Sequence, residues 1–440
     1  MPVADASNPP MPFRRGSGTI AVVGAGVVGT ATALALVRDG HEVILIDRDE
    51  PGRGCSYGNA GHIATEQLLP LASFATLRRV PGLLLKSGGP LGIRKGALPI
   101  LARGWARDFL GACLPRAHAH GTAVLSGLIE TVIQDWRTLL VGTGAEGRFQ
   151  TRGHHSVWES TAPEAAIAAS VAAARGLGVP VTPWGPSPGD WPDLPLALRQ
   201  RVTGGMTYTG TGHVNDPFGL TQDLAAAFVA RGGRIEKADI QGLESGQGGQ
   251  GGNNNVGWRL RHAGGVIGAD AVLVALGVDS GSLLEPLGYR VPMIAERGYH
   301  VVVPGDSGPN TPILDRPVVF ENRTVIVTPM AMGLRATSFT DFSGPDDAPD
   351  PRRPALLRHH LREVGLMAPG AESSEWTGCR PSLPDYLPML DASRRHPGLY
   401  AACGHQHLGL TLAAVSARRM ADIVAGRALP DPAMALDRFS

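Results

Sequence analysis

The chain has 440 residues, a formal net charge of +1 at pH 7 and a hydrophobic content of 43%. This length favours two domains or one large interleaved unit, and a net charge so close to zero provides no general attraction to nucleic acid. The apolar residues form no run long enough to cross a bilayer as a helix, which argues against a membrane-spanning protein.

The first regular elements predicted from the sequence lie near the N-terminus. Residues 1–17 are predicted to be a disordered leader, because they contain proline and lack the apolar centre of a secretory signal. Residues 19–29 read TIAVVGAGVVG, a β-branched strand followed by a GxGxxG turn. The next letters, TATALALVRDG, predict a helix that ends at Gly40. HEVILID then predicts a second strand that ends at Asp47.

This order of strand, turn, helix, strand and acid predicts a dinucleotide-binding unit. Gly24 permits the tight turn, Gly26 lets a pyrophosphate approach the backbone, and Gly29 lets the helix pack closely on the strand. The N-terminus of the helix attracts phosphates, and the carboxylate of Asp47 can accept hydrogen bonds from a ribose hydroxyl. An acid at this position fits either FAD or NAD.

The loop after Asp47 distinguishes between the two cofactors. An NAD-binding domain usually continues into further strand–helix–strand units, whereas here RDEPGRGCSYGNAGHIATE is a loop of small residues. Such a loop lets backbone amides lie against a large flat ligand. The segment resembles the S-x-x-N-A-G element of FAD-dependent D-amino-acid dehydrogenases and oxidases, and it is formed here by Ser56 and Asn59–Gly61, with His62 and Ile63 directly after it.

Three further segments resemble the same family, and the similarity covers nearly the whole chain from residue 18. In residues 213–243 the backbone at Ile240 matches the adenine contact, and residues 270–277 (DAVLVALG) match the strand that returns beneath the pyrophosphate. The segment GHQHLGLT at 404–411 matches the loop over the pyrimidine end of the flavin. Thr411 is the expected N-cap of the following helix, whose dipole favours negative charge on the reduced ring.

The motif and this resemblance together define an expected set of FAD contacts, and FAD is expected to be bound without a covalent link. Cys379 falls about one position out of register with the cysteine that links FAD in some relatives, and Cys55 and Cys403 are interpreted as small packing residues. The expected cofactor-binding residues are Gly24, Ala25, Gly26, Val28, Gly29, Asp47, Arg48, Ser56, Asn59, Ala60, Gly61, His62, Ile63, Ile240, Ala275, Gly277, Gly404, His407, Leu408, Gly409, Leu410 and Thr411.

The expected substrate site rests on the segment WTGCRPSLPDYLPMLD at 376–391, which resembles the family's carboxylate-binding stretch. The matching residue is Arg380, because a guanidinium forms two parallel hydrogen bonds to a carboxylate and stays charged. The alternative is a structural arginine paired with Asp385 or Asp391. Tyr299 is a candidate second carboxylate contact, with an ordinary strand tyrosine as the alternative.

The expected catalytic residues are Arg380, Tyr299, His407 and His62. No metal site is expected, because His405 and His407 have no third ligand nearby and their i,i+2 spacing does not converge. The resemblance implies that Arg380 and Tyr299 hold the amino acid with its α-hydrogen towards flavin N5, where it leaves as hydride. Positioning of the substrate against the flavin is then expected to supply most of the rate enhancement.

The expected fold is α/β (or α+β) with two domains: a Rossmann-like FAD-binding domain of the glutathione-reductase type, interleaved with a mixed-sheet substrate domain. The FAD domain is expected at 18–66, 213–288 and 379–440, and the substrate domain at 67–212 and 289–378. The low-complexity segment at 244–255 is interpreted as a flexible hairpin tip.

Residues 68–120 carry eight basic side chains and one acid, Asp108, with apolar clusters between them. The segment is either a solvated charged face of ordinary helices or a surface that contacts an anionic membrane. The protein is accordingly expected in the cytoplasm, with peripheral contact at the inner face of the cytoplasmic membrane as the second possibility.

The strings GHQHLGLTLAAV, ERGYH and GCRPSLPDYLP resemble most the D-hydroxyproline dehydrogenase branch. This implies oxidation of cis-4-hydroxy-D-proline or a related D-imino acid, with a quinone or another redox carrier as acceptor. Three alternatives stay open. They are a sarcosine- or glycine-oxidase-like enzyme that uses O₂, a flavoprotein that processes modified tRNA and would need a basic binding face, and a non-catalytic flavin-binding subunit of a larger complex.

Overall fold

The computed structural model describes residues 12–16, 18–85, 88–161, 163–246, 257–305, 314–344 and 347–440. Most of the predicted leader (1–17) and of the predicted hairpin tip (244–255) therefore lies outside the described residues. The strands and helices below are numbered in chain order.

The strands are β1 (Thr19–Val23), β2 (Glu42–Asp47), β3 (His62–Ile63), β4 (Leu91–Ile93), β5 (Phe149–Gln150), β6 (His154–Trp158), β7 (Val181–Pro183), β8 (Gly204–Tyr208), β9 (Gly212–Val214), β10 (Arg234–Lys237), β11 (Ile240–Ser245), β12 (Trp258–His262), β13 (Gly265–Ala269), β14 (Ala271–Val274), β15 (Ile294–Pro304), β16 (Val318–Phe320), β17 (Val325–Met330), β18 (Gly333–Ser343), β19 (Ser374–Ser382), β20 (Met389–Ala392) and β21 (Leu399–Cys403).

The helices are α1 (Val27–Arg38), α2 (Phe74–Leu85), α3 (Leu98–Ile100), α4 (Ala106–Ala112), α5 (Pro115–Ile129), α6 (Val132–Leu140), α7 (Glu164–Gly176), α8 (Leu196–Arg199), α9 (Pro217–Ala230), α10 (Ser280–Leu284), α11 (Arg352–Glu363) and α12 (Gly409–Val424).

A six-stranded sheet forms the centre of the first domain, in the order β10-β2-β1-β14-β21-β20. All neighbours pair in parallel except β20 and β21. The central strands are continuous apolar runs and are almost fully buried, as expected for a parallel sheet covered on both faces. The two strands and the helix predicted from residues 19–47 are confirmed.

One face of this sheet is covered by helices α1, α9 and α12, and α1 packs against both of the others. Helix α1 is rich in alanine and threonine, so its backbone approaches its neighbours closely. The helix ends at Arg38, and Gly40 follows with φ +85°. Glycine adopts this left-handed conformation at little cost, as the sequence predicted for the residue beyond the helix end.

A nine-stranded mixed sheet forms the second domain, in the order β19-β15-β18-β17-β16-β6-β8-β7, with β4 paired to β18. A separate apolar core packs against it, built around Val301, Val327 and Leu357. The boundary expected at residue 379 falls inside β19, which pairs with β15 as far as Ser382.

Two small sheets complete the architecture: β11-β12-β13, and β3-β9-β5. The parallel sheet takes its strands from residues 19–47, 234–237, 271–274 and 389–403, and the mixed sheet takes its strands from the stretches between and around them. The predicted interleaved α/β fold with a mixed second sheet is confirmed.

Candidate active site

A cavity of ≈ 1210 Å³ begins at the carboxyl ends of β1, β2 and β14 and reaches the mixed sheet. Ligands of open α/β sheets bind at this edge of the strands. The volume exceeds the roughly 300–1,000 Å³ of ordinary small-ligand pockets. The cavity can therefore hold a dinucleotide together with a second, smaller molecule.

The three glycines of the GxGxxG turn are required for two different reasons. A Cβ on Gly24, which has φ +109°, would lie 2.4 Å from the carbonyl oxygen of Ala275, and a Cβ on Gly29 would lie 1.8 Å from that of Gly24. Gly26 instead has φ −65°, and its Cβ would meet only Ser56 Oγ at 3.4 Å. The fold therefore requires glycine at 24 and 29. At Gly26 the protein itself has space for a side chain, so the glycine there leaves room for a ligand bound in the cavity.

Polar groups at the start of α1 stabilise this turn. Asp47 Oδ2 accepts a hydrogen bond from the Ala25 amide at 2.6 Å. Ser56 Oγ accepts one from the Val27 amide at 2.9 Å, which caps the first turn of a helix whose N-cap residue, Gly26, has no side chain. Asp47 and Ser56 both line the cavity.

The loop at 54–61 is held against the cavity by the mixed sheet. The buried Arg335 donates through Nη1 to the carbonyl oxygens of Asn59 at 2.6 Å and Tyr57 at 3.3 Å. His300 Nδ1 donates to the Gly58 carbonyl oxygen at 3.0 Å, and a Cβ on Gly58 would lie 1.8 Å from the ring of Trp376. The small residues of the loop are therefore needed for close packing.

Thr411 is not the N-cap of α12, so that prediction is wrong. A turn of 3₁₀ helix at 406–408 runs directly into the helix, which begins at Gly409 with Leu408 as its N-cap. Thr411 Oγ1 instead accepts a hydrogen bond from the Ala64 amide at 3.0 Å. Its hydroxyl attaches the segment after β3 to the first turn of α12.

His405 and His407 have different partners, although both line the cavity. His405 Nε2 hydrogen-bonds with Ser416 Oγ at 2.9 Å, and His407 Nε2 donates to the side-chain oxygen of Gln67. Burial lowers the pKa of each imidazole to about 4. Both rings are therefore neutral at physiological pH, and they do not converge on a shared ligand.

Arg380 lies on β19 and presents its guanidinium to the cavity. Nη1 donates to the Phe339 carbonyl oxygen at 3.1 Å and to Thr340 Oγ1 at 3.2 Å. The residue paired with Arg380 on β15 is Glu296. Two residues further along β15, a Cβ on Gly298 would lie 2.3 Å from Arg380 Nη2, so the glycine leaves room for the side chain. In the part of the chain that the structure describes, the hydrogen bonds that hold the guanidinium all come from Nη1.

The two carboxylates considered as structural partners of Arg380 are engaged elsewhere. Asp385 forms an ion pair with Arg438 at 2.8 Å, and Asp391 Oδ2 accepts from the Leu436 amide at 2.7 Å. Among the described residues, Arg380 forms no salt bridge within 4.0 Å. Its positive charge is therefore available to an anion in the cavity.

The hydroxyl of Tyr299 already has partners on both sides. It donates to Asp341 Oδ2 at 2.9 Å and accepts from the Asp350 amide at 3.0 Å. The side chain is buried in the core of the second domain, and burial together with Asp341 raises the pKa of its hydroxyl to about 12. These contacts favour the ordinary strand tyrosine over the expected substrate contact.

A polar cluster that the sequence did not reveal lies at the second-domain end of the cavity. It consists of His62, Glu66 and His154, whose nearest ligand atoms lie within 4.8 Å of one another, a spacing that would also suit a metal ion. His62 Nε2 lies 2.9 Å from Glu66 Oε1. Burial acts to raise the pKa of Glu66, but the neighbouring His62 outweighs it and lowers this pKa to about 2.

The geometry divides the expected residues into two groups. Those that line the cavity are Gly24, Gly26, Val28, Asp47, Arg48, Ser56, Asn59, Ala60, His62, Ile240, Ala275, Gly277, Tyr299, Arg380, His407, Gly409 and Leu410. Ala25, Gly29, Gly61, Ile63, Gly404, Leu408 and Thr411 are outside the lining and shape the backbone behind it. Sequence reasoning missed Glu66, Gln67, His154, Tyr208 and Glu321, because no local motif marks them.

Residues 19–423 match the DAO family, described as FAD dependent oxidoreductase. The match covers most of the chain, and the chain therefore belongs to this family and is an FAD-dependent oxidoreductase. The GxGxxG turn kept open at Gly26, the acid at the end of β2 and the size of the cavity all fit FAD.

Curated relatives are similar over their full length. The chain is 31% identical to a D-amino acid dehydrogenase of Paramagnetospirillum magneticum over 96% of this chain and 99% of that protein. It is 31% identical to D-amino acid dehydrogenase 2 of Ralstonia nicotianae, over 93% and 97%. It is 29% identical to a D-amino-acid oxidase of Bradyrhizobium diazoefficiens, over 96% and 97%.

Solved structures share the fold at lower identity. Glycine oxidase from Geobacillus kaustophilus aligns with a TM-score of 0.66 and 21% identity, over 96% of this chain and 98% of that one. L-proline dehydrogenase from P. horikoshii aligns with a TM-score of 0.64 and 15% identity, over 98% of both. At these identities the likeness defines the architecture alone.

Proposed function

We propose that this enzyme oxidises the CH–NH group of a D-amino acid, with Arg380 as the group that binds the substrate carboxylate. The observation that carries the proposal is a guanidinium that lines the cavity and, among the described residues, has no carboxylate oxygen within 4.0 Å. The names of the curated relatives support the same substrate class.

The residues around Arg380 favour binding of a single anionic group. A guanidinium can grip a carboxylate through two nitrogens, and Nη1 is already oriented by Phe339 and Thr340. His405 and His407 are neutral, so they add no competing positive charge. When bound, FAD supplies the two-electron acceptor for the hydride that leaves Cα. The chain contributes orientation, which lowers the barrier by removing freedom of motion before the reaction.

Within this class we propose cis-4-hydroxy-D-proline or a related D-imino acid as the substrate, and a quinone or similar carrier as the acceptor. The substrate proposal rests on the likeness of three segments around 296–300, 378–388 and 404–415 to the D-hydroxyproline branch. The acceptor proposal rests on the dehydrogenase names of the relatives. A glycine-oxidase-like enzyme that uses O₂ is the second candidate, supported by the D-amino-acid oxidase among the relatives.

Anaerobic reduction of the bound flavin tests the proposal directly. We expect its visible absorbance to bleach when D-amino acids or D-prolines are added, and to persist with the L-enantiomers. Bleaching by L-amino acids alone, or by none of them, would contradict the proposed substrate class. Oxygen uptake measured with the same substrates separates an oxidase from a dehydrogenase, which reduces an added quinone instead.

We also propose that residues 68–120 contact an anionic membrane surface. Of the exposed large apolar side chains that the structure describes, half lie in this segment: Leu69, Leu71, Phe74, Leu84, Ile93, Leu98, Leu110 and Leu114. Exposed basic side chains accompany them, among them Arg78, Arg103, Arg107 and Arg116. Apolar side chains rimmed by cations are suited to the interface of anionic lipids. None of the described helices is long and apolar enough to span a membrane.

A further inference from the structure

The cavity has a second polar group at some distance from Arg380. Glu66 lines the same cavity but forms no ion pair with Arg380 within 4.0 Å, in the residues that the structure describes. His407 lines the same cavity, and its ring hydrogen-bonds with Gln67, the residue after Glu66. A ligand that reaches both groups must therefore extend beyond the carboxylate that Arg380 holds.

One oxygen of Glu66 is in use and the other is not. His62 Nε2 donates to Oε1 at 2.9 Å, because an ionised carboxylate can only accept. Oε2 is buried and has no hydrogen-bond partner among the described residues. A buried acceptor left in this state costs roughly 1–3 kcal/mol. A donor on a bound ligand would remove that cost.

The neighbours of Glu66 hold it in a fixed polar environment. The His154 ring packs edge-to-face on His62 with centroids 4.7 Å apart, and it stacks on Tyr208 at the same distance. His154 Nδ1 hydrogen-bonds with Thr211 Oγ1 at 2.9 Å. Burial lowers the pKa of His154 to about 3, so this ring is neutral and places no positive charge beside Glu66.

We infer that Glu66, oriented by His62, is a specificity residue that binds a hydroxyl or ammonium group on the substrate side chain. The enzyme would then prefer D-amino acids with a polar side chain over apolar isosteres. This inference rests on the proposed function, because it takes the carboxylate of the same substrate to lie at Arg380. The α-amino group is attached next to that carboxylate, whereas a donor on the side chain extends further from it.

Isosteric substrate pairs measure this preference. D-threonine and D-valine differ by a hydroxyl in place of a methyl group, as do D-serine and D-2-aminobutyrate. We expect wild-type kcat/KM to favour the hydroxyl member of each pair by about tenfold or more, the range of a hydrogen bond to a charged group. Glu66→Gln keeps the shape but not the charge, and it should remove most of that ratio.

The matched control is Glu372→Gln, at an exposed acid that does not line the cavity, and it should keep the wild-type ratio. If Glu66→Gln does not fold, the kcat/KM ratio of wild type within each pair still tests the inference. A wild type that does not favour the hydroxyl member of each pair overturns it. Equal loss on both members of a pair would also overturn it, because Glu66 would then act on the shared α-amino group.

Binding without turnover separates this inference from the proposed function. α-Methyl-D-serine and D-isovaline have no α-hydrogen and cannot be oxidised, and each perturbs the flavin spectrum only by binding. We expect wild type to bind α-methyl-D-serine more tightly than D-isovaline. The Glu66→Gln variant should bind the two compounds with similar affinity. An enzyme that shows this difference but oxidises no D-amino acid would contradict the proposed function alone. Stoichiometric Zn²⁺ retained by wild type and lost in Glu66→Gln would identify a metal site and overturn the inference.

Discussion

At the scale of single residues, Arg380 on β19 depends on the absence of a side chain at Gly298 on β15. A side chain at 298 would occupy the place of Arg380 Nη2, so the guanidinium can lie flat against the sheet and face the cavity. The proposed role of Arg380 also predicts that lysine does not replace it. A lysine ammonium keeps the charge but loses the fork that grips two carboxylate oxygens.

We therefore expect Arg380→Lys to bind FAD normally and to lose roughly 2 kcal/mol or more in kcat/KM on its amino acid substrate, the upper range for a charged hydrogen bond. Steady-state kinetics measures the loss, and kcat should fall with any rise in KM, because binding also sets the geometry of hydride transfer. The corresponding amino-acid amide lacks the carboxylate and should be affected far less. Equal losses on acid and amide would mean that Arg380 has a structural role.

Gly26 gives a second prediction at this scale. Its backbone conformation suits any residue and its Cβ would not clash with the protein, so Gly26→Val should fold but should not retain FAD. Absorbance of the purified protein and its thermal unfolding measure the two properties. Gly29→Ala is the comparison, since its Cβ would lie 1.8 Å from the Gly24 carbonyl oxygen and should destabilise the fold itself. A yellow, stoichiometric Gly26→Val protein would contradict the assignment of the turn.

The protonation of the cysteine thiols predicts that FAD is bound without a covalent link. Burial raises the pKa of the Cys379 thiol and raises that of Cys403 to about 11, so both are weak nucleophiles at neutral pH. Acid precipitation should release all FAD into the supernatant. A yellow pellet would show a covalent link, and Cys379→Ser and Cys55→Ser would identify which cysteine forms it.

At the scale of elements, the segment at 68–120 can be tested as a surface. Replacing the exposed Leu98, Leu110 and Leu114 with serine should weaken sedimentation with vesicles that contain an anionic lipid, because each removes apolar area from the interface. Leu196→Ser is the control, since Leu196 is more exposed than any of them but lies outside the segment. Wild type that does not sediment with anionic vesicles would refute the membrane contact.

Elements defined by local patterns were predictable, and elements defined by contact were not. The unit from Thr19 to Asp47 has its own glycines and its own apolar period, so its strands, turn and helix could be predicted from the sequence alone. The start of α12 was misplaced at Thr411, because a 3₁₀ turn upstream extends the helix and the threonine binds a distant amide instead. Glu66 follows β3, which pairs with β9, and His154 lies on β6, which pairs with β8, so the two side chains meet only in the folded structure.

At the scale of the whole molecule, buried neutral histidines make stability depend on pH. Burial lowers the pKa of His213, His300, His405 and His407 to about 4, while an unfolded histidine titrates near 6.5. Their contribution to the free energy of unfolding is complete above about pH 6.5 and is lost as pH falls towards 4. In that range the histidines bind protons in the unfolded chain but stay neutral in the folded chain.

We expect urea unfolding at saturating FAD to show a loss of about 2 kcal/mol per buried histidine between pH 7.5 and 5. His405→Asn should reduce this slope, since it removes one buried imidazole that hydrogen-bonds with Ser416. His359→Asn, at an exposed position on α11, should leave the slope unchanged. Identical slopes in the two variants would show that burial of His405 is not linked to protonation.

The order of strands in the parallel sheet also governs when this protein can fold during synthesis. β1 lies between β2 and β14, and β14 in turn requires β21, whose pairing begins at Leu399. Helix α1 is synthesised long before α12, against which it packs. A nascent chain therefore carries its nucleotide-binding turn on an unfinished sheet until synthesis has passed β21 and α12. A premature stop anywhere before Leu399 removes β21, one of the two strands that pair with β14, and leaves apolar surface of β14 and α1 exposed to water.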